Sequence, residues 1–134
     1  MKSNTPGMTI IVKIVTRLTV GLILLYGFYI VLHGHIGPGG GFAGGVIIAL
    51  AMIHLMLAYG KDTVTKKVGR RRGIMISSAG AILFLLLIAL SANGFIKGVN
   101  LIPFYDIFIS IMVGAGLFTL FLALVILITE REGE

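Results

Sequence analysis

Four long apolar blocks, separated by short polar or glycine-rich stretches, dominate the chain of 134 residues. A soluble domain alternates apolar and charged positions over short distances, whereas each of these blocks is long enough to cross a bilayer. The pattern predicts an all-α integral membrane protein with four transmembrane helices. We expect the spans at about residues 9–32, 41–59, 74–90 and 107–129, within a single membrane domain over residues 1–134.

Composition agrees with this pattern and excludes several classes of function. The chain is 57% apolar and 12% charged, and its mean hydropathy is +1.08. It has no cysteine, which excludes disulfides, thiolate metal sites and cysteine catalysis. No metal-ligand spacing of acids and histidines is present, so we expect no metal and no cofactor. The first apolar block is too long for a cleavable signal peptide.

The lysines and arginines lie between the spans, which argues against a nucleic-acid partner and indicates an orientation. The basic residues in question lie in the N-terminal part and in the second connection: Lys2, Lys13, Arg17, Lys61, Lys66, Lys67, Arg70, Arg71 and Arg72. The first connection has none and the third has only Lys97. Because cytoplasmic loops retain Lys and Arg, we expect both termini to be cytoplasmic. The basic connection is also suited to contact with anionic lipid.

A glycine-rich stretch, His33 to Gly45, follows the first span and contains the spacing G-x-G-x-x-G. A dinucleotide fingerprint requires a preceding strand and an acid that follows a second strand. Here the upstream block is a membrane helix, and the acid at a suitable distance, Asp62, lies in the basic connection. A phosphate-binding loop is excluded as well, because no Gly-Lys-Ser/Thr follows. We therefore reject nucleotide binding.

Close helix packing explains the glycines better. We expect Pro38 in the first turn of the second helix, where its missing N–H costs nothing. Glycines four residues apart leave a helix face without side chains, so that another backbone can approach. One such face would carry Gly40, Gly44, Ile47, Ala51, His54 and Ala58. We expect neighbouring chains to dock here, and we assign to this packing Pro38, Gly39, Gly40, Gly41, Phe42, Gly44, Gly45, Ser110 and Gly114.

Ionisable groups within or near the spans are candidates for an ion path. Asp106 precedes the fourth span and is either the N-cap of that helix or a carboxylate on the path. His54 is in mid-helix, where we expect it to face protein, either as a packing residue or as a proton relay. His33 and His35 lie near the outer surface, where a titration near neutral pH would admit protons.

The residues also resemble a known family. The motif formed by Gly34, His35 and the run from Pro38 to Gly45 is similar to the signature of MnhB, the B subunit of Mrp-type multisubunit Na+/H+ antiporters. The stretches 105–107 and 113–116 are similar as well. The same module resembles subunits of archaeal membrane-bound hydrogenases and their sulfur-reducing relatives, which contain an Mrp-like part.

The resemblance implies an accessory, non-catalytic subunit in the plasma membrane. It would pack beside other antiporter-type subunits in the lipid bilayer and help to move Na+ or H+. Three alternatives remain open: the equivalent subunit of a hydrogenase or sulfur-reducing complex, a small self-assembling channel or carrier, and a pure assembly scaffold. A small channel would need a polar stripe across the bilayer, which the first and third spans lack.

Overall fold

The computed structural model describes residues 9–67, 69–94, 98 and 100–133. Its helices are α1 (Ile10–His33), α2 (Gly41–Tyr59), α3 (Lys61–Lys67), α4 (Arg70–Ala92) and α5 (Ile102–Glu132). Four of these, α1, α2, α4 and α5, are long and apolar enough to cross a membrane, which confirms the prediction of four spans. The short helix α3 lies in the basic connection and was not predicted. Lys2 and Lys97, used above for orientation, lie outside the described residues.

The four spans pack in the order α1, α2, α5, α4, with α2 and α5 at the centre. A smaller contact joins α1 to α5. Successive spans run in opposite directions, so the start of α1 lies beside the end of α2. The ammonium of Lys13 accordingly lies 5.8 Å from the centre of the Tyr59 ring. We call this the basic end of the bundle, because Arg70 at the start of α4 lies there too. The opposite end, with residues 33–41 and Asp106, is the glycine end.

Glycines permit the contact between α1 and α2. A Cβ atom added to Gly44 would lie 3.0 Å from the carbonyl oxygen of Gly27 and closer still to the side chain of Val31. A Cβ on Gly27 would lie 3.6 Å from the carbonyl oxygen of Gly44. The backbones of Gly27 and Gly44 therefore approach each other closely, with the side chain of Val31 packed against Gly44, as in other small-residue crossings of membrane helices.

The other two helix contacts use glycine in the same way. Between α2 and α5, a Cβ on Gly45 would lie 2.8 Å from the carbonyl oxygen of Ser110. Between α4 and α5, a Cβ on Gly80 would lie 3.3 Å from the amide nitrogen of Met112. Ser77 adds a hydrogen bond across the same contact, because its hydroxyl donates to the carbonyl oxygen of Met112 at 3.0 Å. Each principal contact between spans thus brings backbones close together.

Large apolar side chains mostly lie on the outside of the bundle. Leu18, Leu22 and Leu85 are examples from the two edge helices. The buried apolar cluster is small and centres on Met56, Phe118 and Leu122. This distribution is opposite to that of a soluble domain and suits a chain whose surroundings are lipid or other membrane helices.

Two expectations about helix ends are wrong. α5 begins at Ile102, with Leu101 as its N-cap and proline in its first turn, so Asp106 lies one turn inside the helix. α2 begins at Gly41 with Gly40 as N-cap, which leaves Pro38 outside the helix. The chain reaches α2 through Gly39 and Gly40, whose φ angles of +146° and +91° disfavour any residue with a side chain.

Candidate ion-path site

Asp106 joins α5 to the N-terminus of α2. Its Oδ1 accepts a hydrogen bond from the backbone N–H of Gly41 at 3.0 Å. The first N–H groups of a helix have no partner within the helix, and they favour negative charge. Asp106 is therefore a capping residue, as one interpretation predicted, but it caps α2 rather than its own helix.

The second carboxylate oxygen of Asp106 differs from the first. Oδ2 is buried and has no hydrogen-bond partner among the described residues. Its surroundings are glycine backbone, since a Cβ on Gly34 would lie 2.7 Å from Oδ2 and one on Gly40 would lie 3.1 Å from Oδ1. A buried carboxylate oxygen without a partner is costly, and such groups are uncommon in folded proteins.

The two histidines of the glycine end flank Gly34 in the sequence, and Gly34 lies beside this carboxylate. His33 is exposed, stacks on Tyr29 with ring centres 4.3 Å apart, and has Nδ1 at 3.1 Å from the carbonyl oxygen of Tyr29. His35 is also exposed. Among the described residues, neither imidazole forms a hydrogen bond with Asp106. The three residues therefore share one end of the bundle without forming a connected relay.

His54 is not on the buried face of α2. Gly44, Ala51 and Ala58 of the expected face are buried, but His54 is exposed. His54 lies five residues, or about 7.5 Å along the helix axis, before Tyr59 at the basic end of the bundle. The expectation that its position in mid-helix buries it is thus wrong within this chain. Asp106 and His54 belong to different parts of the bundle and do not form one site.

The residues assigned to packing divide into two groups. Gly40, Gly41, Gly44, Gly45, Ser110 and Gly114 are buried, whereas Pro38, Gly39 and Phe42 are exposed. Gly41 and Gly45 contact α5, and Gly44 contacts α1. The expectation that neighbouring chains dock on these glycines is therefore wrong for the buried ones, because helices of the same chain already cover them.

Three further glycines matter for packing and were not assigned to it from the sequence. Gly27 faces Gly44 across the α1/α2 contact, Gly80 faces α5, and Gly34 lies against the carboxylate of Asp106. Gly80 follows Gly73 and Ser77 on one face of α4 at spacings that mark packing faces, so this signal was present. Gly34 belongs to the motif that resembles the family, but the sequence does not show its contact with residue 106.

The arrangement at Asp106 can hold a cation or a proton at Oδ2 while Oδ1 keeps α2 in place. Within the described ranges, no cluster of three or more histidine and acidic residues could ligate a metal ion. Among the described residues, Oδ2 therefore lacks the cluster of side-chain ligands that a resident metal ion usually has.

Comparison with known proteins identifies the family. A family model described as "Domain related to MnhB subunit of Na+/H+ antiporter" matches residues 11–128. The chain belongs to this MnhB-related family. The resemblance found in the glycine motif is thereby confirmed, and so is the expectation of a multi-pass membrane protein.

Curated relatives agree with the MnhB assignment. A protein of Staphylococcus epidermidis RP62A, named as an antiporter subunit, mnhB2, is 41% identical over 66 residues. The same name belongs to a protein of Staphylococcus aureus strain Newman that is 41% identical over 64 residues. The matched segments are 49% and 48% of this chain, and 44% and 43% of those relatives. The chain thus matches less than half the length of either relative.

Proposed function

We propose that this MnhB-related chain is an accessory, non-catalytic membrane subunit of a Na+/H+ antiporter module. It packs beside antiporter-type subunits, and its carboxylate at Asp106 contributes to the path of Na+ or H+. Both termini lie in the cytoplasm, as the basic residues at one end of the bundle indicate. The family described above supports the antiporter assignment, and the geometry of Asp106 supports its place on the path.

The unpartnered oxygen of Asp106 is the observation that carries this proposal. One oxygen of the carboxylate is engaged by Gly41, and the other is buried without a donor among the described residues. In a membrane-spanning segment, such an oxygen is stabilised by a bound proton or a cation. Gly34 allows the carboxylate to occupy this position, because a Cβ there would lie 2.7 Å from Oδ2. An exchange of Na+ for H+ requires a group that binds these two cations alternately.

In this proposal, His54 contributes to the ion path only if another subunit packs over it. Its imidazole is exposed on α2 between Leu50 and Leu57, which are exposed as well. Polar groups at this depth face protein or water rather than lipid tails. His33 and His35 are exposed at the glycine end, where protons arrive or leave in this proposal.

Substitution of Asp106 by asparagine tests the role in transport. Asparagine can still accept the N–H of Gly41 but cannot hold a proton or balance the charge of a cation. We expect Na+-dependent proton flux in vesicles to fall by about tenfold or more, because a group that carries the ion is lost. Asp62→Asn is the matched control, since it removes one exposed acid from α3 and should leave the flux unchanged.

The size and subunit composition of the purified complex must show that each variant is fully assembled. Normal flux in an assembled Asp106→Asn complex would remove Asp106 from the path. Mass spectrometry of the co-purifying chains distinguishes the antiporter from the hydrogenase-type and sulfur-reducing alternatives. Saturable flux by the purified chain alone would instead support a small self-assembling carrier.

A further inference from the structure

A groove between α4 and α5 opens near the basic end of the bundle. It has a volume of about 220 Å³ and is lined by Ile74, Ser77, Ser78, Gly116, Thr119 and Leu120. Its floor is closely packed, since a Cβ on Gly116 would lie 3.4 Å from the hydroxyl of Ser77. Three hydroxyl side chains line it, whereas a groove between α2 and α5 is lined only by apolar residues.

Two arginines lie on the same faces of α4 as this groove. Arg70 is four residues before Ile74 and seven before Ser77, and Arg71 is seven before Ser78, so these side chains follow one another along the helix. Both arginines are exposed, and the first turn of α4 contains no acidic residue. Arg72 is engaged differently, because its Nη1 donates to the carbonyl oxygen of Lys67 at 3.1 Å.

We propose that this groove is a binding site for one anionic phospholipid. Arg70 and Arg71 bind the phosphate of the headgroup, the exposed hydroxyl of Ser78 meets the glycerol region, and an acyl chain follows the exposed side of α4 along Met75 and Ile82. The charge of the arginines complements the phosphate, and α4 passes directly from these cations into its apolar span. An acidic protein segment would also be attracted by the arginines, but its polar side chains would not enter a groove that continues into the apolar span of α4.

The test compares variants of the full chain isolated with its native assembly in mild detergent. After incubation with phosphatidylglycerol or phosphatidylcholine and extensive washing, bound lipid is quantified by mass spectrometry. We expect R70Q/R71Q to reduce the retained phosphatidylglycerol by about tenfold or more, because two phosphate contacts are lost. K66Q/K67Q removes the same charge from exposed positions in the same connection, and should reduce retention by less than about twofold.

The substitution Ser78→Phe distinguishes the contribution of the groove to lipid binding from that of the arginine charges. It fills the groove while leaving both arginines, and Ser78 is exposed, so the fold should tolerate the change. We expect it to release phosphatidylglycerol as R70Q/R71Q does. Equal losses from the two double variants would overturn the proposal in favour of diffuse attraction to anionic membranes. Unchanged retention in Ser78→Phe, or cross-links from position 71 to an acidic segment of another subunit in place of lipid, would overturn it too.

Discussion

At the residue scale, the two oxygens of Asp106 have different roles, and substitutions can separate them. Asp106→Ala removes the acceptor for the Gly41 N–H, whereas Asp106→Asn keeps an acceptor at the same place. A hydrogen bond to a charged group contributes about 1.5–3 kcal/mol to stability. We therefore expect Asp106→Ala to lower the free energy of unfolding by that amount and Asp106→Asn to lower it by less. Thermal unfolding in detergent measures the difference. Equal destabilisation by both substitutions would show that the N–H contact contributes nothing.

The glycine beside this carboxylate gives a second prediction at the same scale. A Cβ on Gly34 would collide with the backbone of Gly40 and would lie 2.7 Å from Oδ2, so Gly34→Ala should displace the carboxylate without changing any charge. We expect a loss of stability of about 1–3 kcal/mol and a lower ion flux. Gly37→Ala is the control, because a Cβ there meets nothing within 4 Å. If the two variants behave alike, the close approach at Gly34 has no functional consequence.

At the scale of the helices, contact between α1 and α2 depends on Gly44. Its replacement by leucine would place a branched side chain against Val31 and the backbone of Gly27, so we expect the two helices to separate and the protein to lose its fold. Gly21→Leu is a matched control on α1, where a Cβ meets nothing within 4 Å. The recovery of monodisperse protein from membranes measures both. Normal yield of Gly44→Leu would show that α1 and α2 do not need this contact.

The helices could be predicted from the sequence, but the sides through which they pack against one another could be predicted only in part. Apolar blocks of bilayer length specify spans whatever their order, and α2 has the bounds that the pattern indicates. Helices in lipid are apolar all round, however, so hydrophobicity does not mark the inner face. Small residues do mark it, which is why Gly44 and Gly45 were found and the exposure of His54 was not. Proline in the first turn of α5 was a usable sign that the helix starts before Asp106.

At the scale of the molecule, the order α1, α2, α5, α4 leaves much apolar surface uncovered on both sides of the two central helices. The edge helix α4 contacts mainly α5, and most of its side chains are exposed. Lipid alone can cover these surfaces, but an exposed histidine in α2 is better accommodated by protein. We therefore regard the side of α2 around His54 as the first place to look for a neighbouring subunit. The groove on α4 is the place to look for lipid.

The orientation of the whole bundle gives the last prediction, and the composition makes it easy to test. Because the chain has no cysteine, a single introduced thiol is the only one that can react with a maleimide. Thr63 on α3 and Gly37 in the glycine end are exposed and lie beyond opposite ends of α2, which is long and apolar enough to cross a membrane. With the basic end in the cytoplasm, Gly37→Cys should be labelled in intact cells by a reagent that does not cross membranes. Thr63→Cys should be labelled only after lysis. The reverse result would invert the orientation, and labelling of both in intact cells would contradict the arrangement of spans, because α2 could not then cross the bilayer between them.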